Sequence, residues 1–146
     1  MTNFDFWELC RDTCLRLNVE DTESLSRDGE IVLEGVRLGA FFNEESGDGI
    51  HCFVDLGPVN AEDRLEHFQR LLELNLELGR MHGESLCYER QSGHVILRSE
   101  ITDLAHCDAE SMAEWLKDYA VFAHEFGNHI QGAQDAPVTN PFASRI

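Results

Sequence analysis

Across residues 30–56 the apolar side chains recur at every second position, whereas on either side they recur every three or four. A period of two belongs to strands with one buried face, and a period near 3.6 to helices with one buried stripe. The chain must therefore assemble both in separate blocks. The expected order is helix, three strands, helix, two strands, helix and tail: an α+β fold, α-β-β-β-α-β-β-α, in which helices pack on an antiparallel sheet.

The first helix is expected over 4–17, where Phe6, Leu9, Cys10, Cys14 and Leu17 share one side. Phe4, Trp7 and Leu15 widen its apolar surface beyond that stripe. Residues 18–29 are polar and acidic and read as a loop. Strands follow over 30–34, 36–43 and 50–56, with Gly35 at one tight turn and Gly47-Asp48-Gly49 in the next connection. Alternation puts Val36, Leu38, Ala40 and Phe42 with Ile50, Cys52, Val54 and Leu56 on a buried face. Arg37, Gly39 and Phe41, with His51, Phe53 and Asp55, point the other way.

Asn60 is expected to cap a helix over 61–78 that Gly79 ends. Its apolar residues form two adjoining stripes, Leu65-Phe68-Leu72-Leu76 and Leu71-Leu74-Leu78. Packing on one sheet takes a stripe of about 100°, so this helix has two apolar surfaces to satisfy. A hairpin over 85–90 and 94–100 should bury Leu86, Tyr88, Val95 and Leu97, and Asp108 should cap a last helix over 109–129. Residues 1–129 then make a single domain and 130–146, with Pro137 and Pro141, a flexible tail.

Eleven basic against 28 acidic residues leave a net charge of -17. Nucleic acid and anionic membranes are bound through clustered Lys and Arg, so neither is an expected partner. No apolar run reaches the length of a membrane span, and the first residues lack the basic and apolar regions of a signal peptide. Five scattered cysteines without Cys-x-x-Cys spacing read as free thiols in a reducing, cytoplasmic compartment.

Reactive constellations are not found. His124 and His129 flank a Glu as in zinc proteases, but five positions apart they lie about 140° apart around a helix. His106-Cys107-Asp108 is consecutive, whereas nucleophilic triads are assembled from separate elements. Gly47-Asp48-Gly49 lacks the Lys of a phosphate loop. No catalytic residue, metal or cofactor is expected, and the chain does not read as an enzyme. What stands out is apolar surface beyond the needs of one small core. Such surface marks an interaction site unless a late strand or the tail covers it.

The run Phe68-Gln69-Arg70-Leu71-Leu72-Glu73-Leu74-Asn75-Leu76-Glu77-Leu78-Gly79 resembles the Leu-Leu-x-x-Asn-Leu helix of type III secretion chaperones of the Tir-chaperone type. The hairpin from Leu86-Cys87-Tyr88-Glu89-Arg90 through Gly93 to Val95-Ile96-Leu97-Arg98, and the long amphipathic helix after it, extend the likeness over residues 4–129. The resemblance implies a homodimer that holds the N-terminal segment of a secreted bacterial effector extended, soluble and ready for secretion. It implies delivery to the secretion apparatus, with that apparatus's ATPase as a further partner, and virulence as the setting. Phe4, Trp7, Arg37, Phe41 and Phe53 are then the expected effector contacts, and Leu71, Leu74, Asn75 and Leu78 the expected dimer contacts. The charge alone also admits an acidic module that binds a folded partner, for instance by mimicking nucleic acid.

Overall fold

Thr2 opens the first helix, α1 (Asn3–Arg16), with a reciprocal cap: its hydroxyl accepts from the Asp5 N–H, and the Asp5 carboxylate accepts from the Thr2 N–H at 2.7 Å. The Thr2 N–H, and after it the Thr2 hydroxyl donating at 2.8 Å, hold the Asp5 carboxyl below its ordinary pKa. The computed structural model describes residues 1–81 and 83–131, with 81 and 128–131 described by backbone alone. The expected tail lies outside the described residues from 132 onward.

The segment expected as a loop contains a one-turn helix, α2 (Ser24–Arg27). Leu25 drives it: this residue is fully buried, and Arg27 pairs with Asp21 and Asp28 on the outside. Three strands follow, β1 (Glu30–Leu33), β2 (Val36–Phe42) and β3 (Ile50–Pro58). Glu34 and Gly35 join the first two with φ of +52° and +82°, the double positive that a two-residue hairpin turn requires. His124 Nε2, 3.0 Å from the Glu34 carbonyl, ties this turn to the last helix.

The middle helix, α3 (Arg64–Met81), starts later than expected. Asn60 accepts from the Glu62 N–H in a separate turn, and the Asp63 carbonyl takes the bond from His67 that begins the helix. It runs through Gly79, and Gly83, at φ +69°, is the next left-handed residue among those described. The hairpin β4 (Ser85–Glu89) and β5 (His94–Ile101) leads to α4 (Ala109–Gln131), where Asp108 accepts from the Ser111 N–H at 2.8 Å as the expected cap.

The sheet is antiparallel throughout, in the order β1-β2-β3-β5-β4. Its register aligns Leu38, Val54, Leu97 and Leu86 in one buried row across four strands. Every position assigned by alternation to the inner face of β2 and β3 is buried, except half-buried Phe42. In the hairpin Leu86, Val95 and Leu97 are buried, while Tyr88 is half-buried with its ring edge-on to Phe68. Across the core face lies α4, contributing Met112, Leu116, Tyr119, Phe122 and Phe126. Upon it packs α1, through Phe6, Cys10 and Cys14. Beside them α3 covers β4. The Tyr119 hydroxyl donates to the buried Glu84 carboxylate, and burial followed by that carboxylate pushes the phenol pKa up. Buried residues of all four helices join the cluster on the inner face of the sheet, while Val32 and Phe41 on the opposite face are exposed.

Candidate functional site

Gly39 organises the uncovered face of the sheet. The ring of Phe53, its cross-strand neighbour, lies where a Gly39 side chain would project. The Arg37 guanidinium sits 5.7 Å from the centre of that ring. Three carboxylates surround Arg37: Asp55 at 3.4 Å, Glu30 at 3.5 Å and Glu89 at 3.7 Å. Asp55, the most buried of them, also meets His94 Nδ1 at 2.8 Å and accepts from the Gly57 N–H at 2.9 Å. Arg37 is thus committed to acids of its own chain, and it braces the sheet across its width.

A second surface opens where β1 stops. Its pairing with β2 ends at Glu30 and Gly39, after which the Ala40 N–H reaches the Gly29 carbonyl at 3.1 Å and the chain turns into α2. Because hydrogen-bonding direction alternates along a strand, Phe42, two residues past Ala40, turns its N–H and C=O toward this open side. Beside it lies a groove of about 450 Å³ between α1, α2 and β2. Phe6, Trp7, Phe41 and Phe42 supply its apolar wall, while Arg27 and Asp28 supply its polar one. The Phe6 and Phe42 rings meet at 5.8 Å, Phe41 stacks on His51 at 5.0 Å, and Arg11 lies over Trp7 at 5.4 Å.

The third surface is α3. Leu65, Leu72 and Leu76 are 74%, 69% and 62% exposed, a stripe about 16 Å long on a helix rising 1.5 Å per residue. On the other side Leu71 is buried, Leu74 and Leu78 are half-buried against the core, and Asn75 is bonded to the backbone of Leu86. A groove of about 350 Å³ remains between α3 and β4, lined by Phe68, Leu71, Leu72, Asn75, Leu86 and Tyr88 among others.

The expected effector contacts therefore divide. Trp7 and Phe41 come together in the groove by α1. Arg37 and Phe53 meet on the uncovered face, and Phe4, 65% exposed, stands on α1 outside the groove lining. The expected dimer contacts Leu71, Leu74, Asn75 and Leu78 turn toward their own sheet, so the free stripe is the other one. Sequence reading missed Phe42, because strand ends do not reveal where a neighbour stops pairing. It named Leu65, Leu72 and Leu76, but periodicity alone does not say which of two stripes a sheet takes.

Cys10, Cys14 and Cys52 are buried free thiols, and burial pushes the Cys10 thiol up to about 12, with Cys14 and Cys107 adding to the shift. His106 pairs with Asp103 at 2.9 Å rather than with Cys107. The His129 side chain lies outside those described. Among the described residues no group of three or more His, Cys, Asp or Glu is placed to hold a metal, and no helix is long and apolar enough to cross a membrane.

A search of curated proteins returns no match to the chain. Solved structures do match. A chain of the ExsC–ExsE complex superposes with a TM-score of 0.72 at 16% identity, over 90% of this chain and 98% of the other. A chain of the HopA1–SchA chaperone–effector complex gives 0.63 at 14% identity, over 86% and 95%. A chain of the heterodimeric ExoU–SpcU complex, from the type III secretion system of Pseudomonas aeruginosa, gives 0.50 at 20% identity, over 74% and 88%. At these identities the likeness establishes the shared fold. The family model of the Tir chaperone proteins matches residues 40–125, from the inner face of β2 through the exposed stripe of α3 and well into α4, and by that match the chain belongs to the Tir chaperone protein (CesT) family.

Proposed function

We propose that this protein, an effector-binding chaperone by its family, takes an extended effector segment along the open edge of β2 and into the α1 groove. The observation that carries this reading is the early end of β1. Among the described residues it leaves Phe42, paired with Ile50 toward β3, without a strand neighbour on its other side, beside apolar Trp7 and Phe41. A segment adding there gains main-chain bonds without regard to its sequence and anchors its own side chains in the groove. Phe4 on α1, and Phe53 beneath Arg37, extend the track. Arg37 orders Phe53 rather than meeting the client's charge.

Two copies join through the leucine stripe of α3, with Leu71 and Asn75 lining the adjoining groove. Its role is non-enzymatic, exercised in the bacterial cytoplasm, and the ATPase of the secretion apparatus is the acceptor of the loaded chaperone. The surplus of acids keeps the unloaded protein dispersed despite its apolar tracks. Family membership favours this reading over the acidic module that the charge alone admits.

The test is co-expression with the protein encoded beside it, followed by size-exclusion chromatography with light scattering. Two copies of the chaperone with one effector, whose N-terminal segment stays protease-sensitive, is the expected result. Trp7→Ala with Phe41→Asp should abolish capture. A monomer that captures only folded partners overturns the reading.

A further inference from the structure

The sheet has two edges, β1 and β4, and an unpaired edge invites another strand wherever it is open. At β4 the edge is occupied at Leu86. Asn75 receives the Leu86 N–H on Oδ1 at 2.8 Å and gives Nδ2–H to the Leu86 carbonyl at 3.2 Å. A carboxamide carries the same donor and acceptor pair as a peptide group, so Asn75 stands where one residue of a sixth strand would stand. We propose that Asn75 is an edge stop: it closes β4 to strand addition and confines incoming extended segments to the open side of β2. The proposal rests on the reading that the effector binds as an added strand, and it assigns the residue that decides which edge receives it.

The geometry favours a stop over a simple helix-to-sheet tether. Leu71, Phe68 and Leu78 already hold α3 to the core by apolar contact, and they need no polar partner. Asn75 makes no bond to a side chain of β4. Both its bonds go to the main chain at Leu86, the residue whose N–H and C=O face away from β5. Tyr88 is the next position facing outward by the same alternation.

The chain carries its own reporter. Cys87, half-exposed and free, lies between Leu86 and Tyr88 on the edge strand. Were two β4 strands to pair antiparallel about a two-fold axis at Cys87, the two thiols would face each other with Cβ atoms about 4.5–5.5 Å apart, within reach of a disulfide after slight adjustment. The experiment uses this chain alone, with copper phenanthroline as oxidant, comparing wild type, Asn75→Ala and Asn75→Asp, each with Cys87→Ser as control. Amide hydrogen exchange is followed at Leu86 and at Val95.

Wild type should give little Cys87-linked dimer. Asn75→Ala should raise it several-fold and speed Leu86 exchange roughly tenfold, the scale of one lost hydrogen bond, with Val95 unchanged. Asn75→Asp keeps the shape and the acceptor but loses the donor. It should fall between the two, and it serves if the alanine variant does not fold. Unchanged Leu86 exchange, or a Leu86 amide set free without any gain in Cys87 linkage, overturns the proposal. Failure of the effector-binding reading would appear instead in the co-expression complex and leave these two readouts unmoved.

Discussion

Two leucines side by side on α3 should respond to the same substitution in opposite ways. Leu72 is 69% exposed and Leu71 is 8% exposed. Replacing Leu72 by Ala removes three carbon atoms, worth about 0.8 kcal/mol each when buried. Scaled by the exposed fraction that a partner would cover, this is about 1.6 kcal/mol per copy. An interface between identical copies about a two-fold axis contains the residue twice. The proposed dimer should therefore weaken by about 3 kcal/mol, on the order of a hundredfold in dissociation constant. The isolated protomer should lose under about 0.5 kcal/mol, as exposed substitutions do. Leu71→Ala instead opens a cavity under α3 and should cost the protomer about 2–5 kcal/mol. Sedimentation equilibrium over a wide concentration range reads the first effect. Urea unfolding well below the wild-type dissociation constant reads the second without the linkage that dimerisation adds. If Leu72→Ala leaves association intact, or destabilises the monomer as much as Leu71→Ala, the assignment of the two stripes is wrong.

Gly39→Ala should lower protomer stability by about 1–3 kcal/mol, because the new methyl meets the Phe53 ring and the Gly29 carbonyl. Thermal melts give the loss, and a tryptophan spectrum unchanged from wild type would show that the strain stays on the sheet's open side. Rising pH should also weaken the fold: the folded Cys10 thiol ionises near 12 against an ordinary 9.0, raised first by burial, so its contribution is complete below pH 9 and is lost as pH climbs toward 12. Urea midpoints measured from pH 8 to 10.5 should fall less steeply in Cys10→Ala than in wild type, and parallel slopes would refute the burial argument.

Much of this architecture follows from patterns that survive in one dimension. The two alternating runs around Gly47-Asp48-Gly49 predict β2 and β3 with their faces correctly assigned, since period two leaves only one way to bury Val36, Leu38 and Ala40 together. The helix α2 escaped because one turn shows no period; its only signal is Leu25 among polar neighbours. The capping signals misled by a few residues at Asn60, whose side chain serves a turn instead of the helix. In the candidate site, Trp7 and Phe41 were legible as apolar residues with no place in the core. Arg37 shares the outward face with Phe41 and Phe53 and so reads as a contact, since two of the acids that hold it, Asp55 and Glu89, are remote in sequence. Gly39, alone in an apolar strand, carried a signal of close approach, and the structure shows what approaches: the ring of Phe53.

The strand order has a consequence for how the molecule comes to exist. β1, β2 and β3 are joined by short turns and can zip together as they emerge, and β4 with β5 forms its own hairpin. The seam between these halves is β3 against β5, where Val54 meets Leu97 after roughly forty intervening residues have been looped out, an entropic hurdle that short turns do not face. Until it closes, β3 carries a bare flank rich in Ile50, Val54 and Leu56. A nascent chain is thus most vulnerable while α3 and its hairpin are still being synthesised, and substitutions at the seam should slow maturation more than those in either half.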